Sequence, residues 1–164
     1  TVNIEPDAEQ LAQLAEIAAE VARSLDIEPR VALLSFSNFG SAPHPASEKV
    51  RQAREILAER CPDLLADGEM QVDTAIDGKI AEQFFPFSRI KGDATVLLFP
   101  DLASGNIAYK LLRTLGGAHT VGPILAGMKL PIHVLQKGCE VEEVVSMAAL
   151  AAIDAEGHPH SARK

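Results

Sequence analysis

Apolar positions along this chain switch repeatedly between a helical and an extended period. Leu11, Leu14, Ile17, Ala18, Val21 and Leu25 share one face of a helix predicted from about Asp7 to Leu25. Asp7 stands where an N-cap would, with Glu9 and Gln10 in the first turn. After Pro29, the run from Arg30 to Phe36 is continuously apolar, as in a strand covered on both faces. Turn-forming residues fill Ser37 to Pro45, and a second helix is expected from about Ser47 to Arg60, stopped at Pro62. Met70 to Ile76 alternates and predicts a strand, and Asp77 to Phe85 a short helix closed by Pro86. Ala94 to Phe99 reads as a further strand. Pro100 to Gly105 turns into a helix from about Asn106 to Leu115, which Gly116 and Gly117 end. Pro131 to Leu135 predicts a last strand. Glu140 to Ala155 predicts a last helix, whose early Glu142 and Glu143 suit the positive end of its dipole.

Strands alternating with helices imply an α/β layered fold, with a central, mostly parallel sheet flanked by helices. The expected organisation is one domain over residues 1–155 and a polar, frayed tail over 156–164. Ligands of such folds bind at the carboxyl ends of the strands, so the loops after Phe36, Phe99 and Leu135 are the ones to inspect.

Composition narrows the partners. At 164 residues and 47% hydrophobic, the chain can bury a core without disulfides or a metal. A net charge of -8 leaves no basic surplus for a nucleic-acid backbone. Small anions stay open, because a few local cations and N–H groups hold them. Cys61 and Cys139 form no CxxC, and the five histidines form no HxxxH pair, so no metal site is expected. Unpaired thiols without a secretory signal fit a reducing, cytoplasmic setting, and no apolar run approaches the roughly 20 residues that span a bilayer. The chain opens at Thr1 directly into a helical pattern, which suggests that the natural protein continues upstream.

Four loops carry candidate chemistry. Ser37, Asn38, Gly40 and Ser41 offer small hydroxyls and close backbone approach to an anion, against a plain strand-end turn. Ser104, Gly105 and Asn106 lie at the mouth of a helix, where exposed N–H groups hold phosphate or carboxylate, unless Asp101 or Ser104 simply caps it. Gly122 and Pro123 fix a turn, structural on its own terms. Lys137 follows a strand and opens a helix, where it can meet an anion. Cys139 beside it is the type of site where a thiol is either activated or an inert small apolar group. No Ser/His/Asp arrangement is readable, so no catalytic residue is assigned.

Taken in order, these segments resemble the phosphate acetyl/butyryl transferase family over nearly the whole chain. The matching stretches are Val31 to Ser37, Pro62 to Leu65 with Asp67-Gly-Glu-Met-Gln-Val-Asp73, Phe99 to Leu112, Gly116-Gly117 with Gly122 to Leu125, and Pro131 to Gly138. The resemblance is to the carboxyl-terminal half of that family. The amino-terminal half, which contributes basic active-site residues in the transferases, has no counterpart here. Ser35-Phe-Ser-Asn-Phe-Gly-Ser41, Phe85-Pro-Phe-Ser88, Asn3 to Leu11 and Met147 to Asp154 are similar to the transferase-like domain at the carboxyl end of bacterial NADP-dependent malic enzymes. The transferases usually read Ser-Thr-Lys-Gly-Ser at 37–41. They also carry a Ser-Arg pair before Gly-Cys, and an aspartate beyond it, that are thought to serve catalysis. Here those positions are Gln136, Lys137 and Glu143. Gln has no hydroxyl, and Lys lacks the planar, bidentate fork of Arg.

The resemblance therefore implies a regulatory, catalytically inactive domain that takes acetyl-CoA, or a related acyl-CoA or phosphate ligand, as effector. It also implies assembly as a homo-oligomer, a dimer or higher. NADP and a divalent metal (Mg or Mn) would serve the parent's decarboxylation of malate to pyruvate in amino-terminal domains absent from this chain. The implied effector residues are Ser37, Asn38, Gly40, Ser41, Ser104, Gly105, Asn106, Gly122, Pro123 and Lys137. Two alternatives stand beside this: a fragment of an authentic phosphate acetyltransferase, and an α/β scaffold whose loops are purely structural.

Overall fold

The central strand decides the layering, because its residues are apolar on both faces. In the computed structural model, which describes residues 3–128, 132–135 and 137–155, β1 is Arg30–Leu34. Val31 and Leu33 enter one core cluster, while Ala32 and Leu34 enter a second on the other side. The two-residue period of a strand separates them. β1 pairs in parallel with β2 (Leu65–Met70) on one edge and with β3 (Val96–Leu98) on the other, giving the order β2–β1–β3 among the described residues. This is the expected layered α/β class with a parallel sheet.

The first cluster is closed by α1 (Ala8–Ser24) and α2 (Pro45–Arg60). Asp7 caps α1 as its sequence implies. Its carboxylate accepts from the Gln10 N–H at 2.8 Å, while the Gln10 side chain accepts from the Asp7 N–H at 3.0 Å. The buried stripe of α1 is Leu11 followed by Ala12, Ala15, Ala19 and Ala22, so of the predicted face Leu11 alone is fully buried, while Leu14, Ile17, Ala18 and Val21 are half-buried and Leu25 is exposed. Against it α2 buries Val50, Ala53 and Leu57.

Beyond α2, the alternating residues from Val72 to Ile76 form a helical turn, α3 (Val72–Ile76), rather than a strand. The strand lies earlier, over Leu65–Met70, in a sequence holding Asp67, Gly68 and Glu69. Strands disfavour these residues. Here the ladder skips: Leu33 faces Gly68 and Leu34 faces Met70, which leaves Glu69 as the extra residue of a bulge. A Cβ at Gly68 would stand 2.6 Å from the Leu33 carbonyl oxygen, and its φ of +147° is one that side chains rarely adopt.

The chain continues through α4 (Gly78–Phe84) and β3 into α5 (Leu102–Thr114). α5 starts four residues before the expected Asn106, because Asp101 caps it. The Asp101 carboxylate accepts from the Ser104 N–H at 2.7 Å, and the Asp101 carbonyl accepts from the Ser104 hydroxyl at 3.0 Å.

The described residues fall into two compact units, one up to Ile107 and one from Ala108 onward. The second holds the later turns of α5 and α6 (Val141–Ala155), which buries Met147 and Leu150. Within it Arg113 pairs with Glu143 at 2.8 Å, and His133 Nε2 stands 3.0 Å from Asp154 Oδ2. Of the predicted strand Pro131 to Leu135, His133 makes a single antiparallel bridge to Ile124, and Pro131 lies outside the described residues. The expected tail over 156–164 also lies outside them.

Two outcomes follow. Leu57→Ala opens a cavity between α2 and the sheet and should lower unfolding stability by about 2–5 kcal/mol, read as a fall in urea midpoint at unchanged slope. Asp101 is held below its ordinary range chiefly by the Ser104 N–H, with the Ser104 hydroxyl, Lys49 and the Ala103 N–H adding to it and partial burial opposing. A carboxylate with a depressed folded-state value stabilises the fold above pH ~4 and stops doing so as pH falls through that lower value. Asp101→Ala should therefore cost about 0.5–2 kcal/mol at pH 7. The gap to wild type should narrow in urea titrations as pH is taken below the ordinary carboxylate range.

Candidate functional site

The strand order places a reversal at β1, since the chain leaves it towards β2 and later returns to its other edge as β3. In open parallel sheets the crevice at such a reversal, beyond the carboxyl ends of the strands, is where ligands bind. A cleft of about 830 Å³ lies there. Leu34, Ser35 and Phe36 line it from the end of β1, Gln71, Val72 and Asp73 from the end of β2, and Phe99, Pro100, Asp101 and Ser104 from the end of β3. Ala46 and Lys49 of α2 complete the lining. The walls are largely apolar. Among the described lining residues Lys49 is the one cation, and its Nζ donates to the Pro100 carbonyl at 2.9 Å.

Of the predicted residues, Ser104 reaches this cleft, with its N–H and hydroxyl turned back onto Asp101. Gly105 donates its N–H to the Asp101 carbonyl at 3.3 Å, and a Cβ there would meet the Phe99 side chain at 3.4 Å. Asn106 is exposed.

Ser37, Asn38, Gly40 and Ser41 gather around an anion, and that anion is the protein's own Glu69. Glu69 Oε1 accepts from the Ser37 hydroxyl at 2.9 Å and from the Gly40 N–H at 2.6 Å. The Ser41 hydroxyl accepts from the Asn38 N–H at 2.9 Å, and Asn38 Oδ1 accepts from the Gln71 N–H at 2.7 Å. The loop is folded inward onto β2.

Asp67, two residues earlier on β2, acts in the same way on another loop. Its Oδ2 accepts from the Ser88 hydroxyl at 3.0 Å and the Arg89 N–H at 2.7 Å, while Oδ1 accepts from the Gly68 N–H at 3.0 Å. Both carboxylates are buried. Residue-type reasoning about ligands overlooked Asp67, Glu69 and Lys49. The readable signal was two acids inside an otherwise apolar strand, since burial of such groups demands hydrogen-bond donors.

Gly122, Pro123 and Lys137 belong to the second unit. Gly122–Pro123 is a cis peptide, and Lys137 is exposed in the turn before α6. Gln136 lies outside the described residues. Among the described residues no group of three or more His, Cys, Asp or Glu stands together to hold a metal ion, and no helix is long and apolar enough to cross a membrane.

Comparison with known proteins agrees with this architecture. Residues 1–152 match the family described as phosphate acetyl/butaryl transferase. A phosphate acetyltransferase of Bacillus subtilis (strain 168) is 47% identical over 154 residues, which are 94% of this chain and 48% of that protein. An NADP-dependent malic enzyme of Escherichia coli (strain K12) is also 47% identical, over 159 residues that are 96% of this chain and 21% of that enzyme. The crystal structure of a phosphotransacetylase from Streptococcus pyogenes aligns with a TM-score of 0.90 at 42% identity, covering 95% of this chain and 47% of that one. The chain thus spans about half the length of these two acetyltransferase relatives and about a fifth of the malic enzyme, and identity does not separate the two groups. With a parallel β2–β1–β3 sheet, a cleft at the strand ends and this matched span, the chain belongs to the phosphate acetyl/butaryl transferase family.

Proposed function

We propose that this chain is a transferase-like regulatory domain of an NADP-dependent malic enzyme, binding acetyl-CoA as effector without turning it over. The observation that carries the reading is Gln136-Lys137, where the transferases hold a Ser-Arg pair. A missing hydroxyl and a missing guanidinium fork remove contacts to the charge of an acyl-transfer transition state, worth several kcal/mol each in such sites. Ground-state contacts to the same ligand survive such losses, because the two states are bound by different groups.

A second departure supports the same reading. The loop position that is usually lysine in the transferases is Phe39 here. Its ring packs against Phe85 at 5.4 Å and Phe87 at 4.9 Å between centroids, so an aromatic contact stands in place of a cation. The strand-end cleft suits an acyl-CoA arm in kind, with apolar walls for its methylenes and Lys49 for an anionic group. The wider effector set remains the ten residues named from the resemblance, Ser41, Asn106 and Lys137 being the exposed polar side chains among them. On this reading NADP and the divalent metal are bound by other domains of the parent, and the domain is part of a homo-oligomer. An authentic acetyltransferase fragment is the competing reading, supported by the equal identity to the Bacillus subtilis enzyme.

Calorimetric titration of acetyl-CoA into the chain, run beside an assay for acetyl phosphate, separates the readings. Saturable heat without acetyl phosphate is expected. Acetyl phosphate formation would overturn the regulatory assignment, and absence of heat would remove acetyl-CoA as this chain's ligand. In the full-length parent, Lys49→Ala, Asn106→Ala and Lys137→Ala should each weaken acetyl-CoA inhibition, by roughly tenfold where a charged hydrogen bond is lost. Unchanged inhibition constants in all three would place the effector elsewhere.

A further inference from the structure

The second unit holds a polar pair, shielded from solvent, that neither the core nor the strand-end cleft uses. The side chains of His133 and Asp154 are 8% and 13% exposed, and His133 Nε2 stands 3.0 Å from Asp154 Oδ2. No other hydrogen-bonding group among the described residues meets either ring nitrogen. With its proton on Nε2, the imidazole donates to the carboxylate.

Asp154 needs that donor. It sits in the last turn of α6, which carries no basic residue. The carbonyl end of a helix is the negative end of its dipole, so a carboxylate there is repelled unless a donor or cation faces it. Removal from water adds to the cost of leaving it unpaired. At the start of α6, Arg113 already meets Glu143. The helix is thus tied by a polar contact at each end, with Met147 and Leu150 buried between them.

The chain around His133 has little else to fix it. Its backbone makes one antiparallel bridge, to Ile124, rather than a ladder. Ile124 directly follows Gly122-Pro123, and Lys137 comes shortly after His133. The pair therefore joins three segments: the 122–124 turn through the bridge, the approach to Lys137 through the chain, and the end of α6 through Asp154. Gly122, Pro123 and Lys137 are the effector residues expected from this unit.

We propose that His133 and Asp154 are positioning residues for effector binding, whose contact holds Lys137 and the Gly122-Pro123 turn in the arrangement that takes the acyl-CoA. Lys137 is exposed in its turn, so packing does not fix its place. Without the pair, the segment before Lys137 keeps only the bridge, and ordering it on ligand binding lowers affinity. The proposal rests on the acetyl-CoA reading above and adds to it two residues that act through others.

The test is a pair of substitutions at each position. His133→Leu keeps apolar bulk and removes the donor, whereas His133→Gln keeps an N–H for Asp154. Asp154→Ala removes the acceptor, and Asp154→Asn keeps one. In the full-length parent, His133→Leu and Asp154→Ala should raise the acetyl-CoA inhibition constant at least about tenfold. His133→Gln and Asp154→Asn should hold it near the wild-type value. Burial alone is served as well by leucine as by glutamine, so this contrast separates positioning from packing. The NMR amide shifts of Gly122, Lys137 and Gly138 in this chain, measured without ligand, give a readout independent of the effector. They should move in His133→Leu and Asp154→Ala and return in the two conservative variants. If substitutions at one position prevent folding, those at the other decide. Wild-type inhibition in a folded Leu or Ala variant, or equal loss in the conservative ones, would overturn the proposal. A wild type that acetyl-CoA does not inhibit would overturn the effector reading. The amide shifts then decide the positioning claim alone, and it falls if they do not move.

Discussion

Two buried carboxylates on one strand hold together what the sheet cannot. A three-stranded parallel sheet fixes its own backbone, but the loops around it have no ladder to join. Asp67 and Glu69 reach out of β2 to the 88–90 and 37–41 segments and collect their N–H and O–H donors. Burial makes these bonds matter. Removing either carboxylate would leave donors unpaired in a dry setting, at about 1–3 kcal/mol for each group. The bulge makes the arrangement possible, since regular pleating would place Asp67 and Glu69 on the same face. The extra residue turns Glu69 towards the 37–41 loop while Met70 resumes pairing with Leu34.

This changes what the strand-end loops can offer a ligand. Backbone N–H groups in a tight loop or at a helix start attract anions. In this chain Gly40 gives its N–H to Glu69, and the Ser104 N–H at the start of α5 goes to Asp101. Both cradles contain a carboxylate of the protein itself. An external anion competes with these groups or is held by side chains instead, and Lys49 is the cation that the cleft presents. The cleft therefore favours a ligand whose length is mostly apolar and whose charge is met at one place.

Much of the architecture was legible because period and punctuation agreed. Asp7 and Pro29 bracket α1, although its buried face is Leu11 with the alanines rather than the larger apolar residues, and the unbroken run from Val31 to Leu34 announces a strand buried on both faces. The failure at β2 has a physical cause. Met70, Val72, Thr74 and Ile76 alternate like a strand, yet Val72–Ile76 closes into a helical turn that buries Thr74 and Ala75. The true strand carries Asp67, Gly68 and Glu69, whose intrinsic preferences oppose extension. Only the tertiary hydrogen bonds to Ser88, Arg89, Ser37 and Gly40 override those preferences. The start of α5 slipped for a smaller reason: Asp101 and Ser104 both suit a cap, and spacing does not choose between them. The 37–41 loop and the start of α5 were legible as sites of exposed N–H and hydroxyl donors by residue type. That the anion comes from within the chain was not, because it sits 29 residues away from Gly40.

Phe39 joins these observations. Its φ of +48° places it in the left-handed region, an uncommon state for a bulky side chain, so packing must compensate for the strain. Phe85 and Phe87 supply that packing, and the Phe39 N–H is tied to the Glu69 carbonyl at 2.8 Å. A lysine at this position would carry a charge on a loop already organised around a buried carboxylate. A phenylalanine instead draws the loop into an aromatic group with exposed edges. The same substitution thus removes a cation from a loop beside the strand-end cleft and adds apolar surface on another face of α2. On the proposed reading, in which the domain binds an acyl-CoA without transferring its acyl group, the loop has no need of that cation.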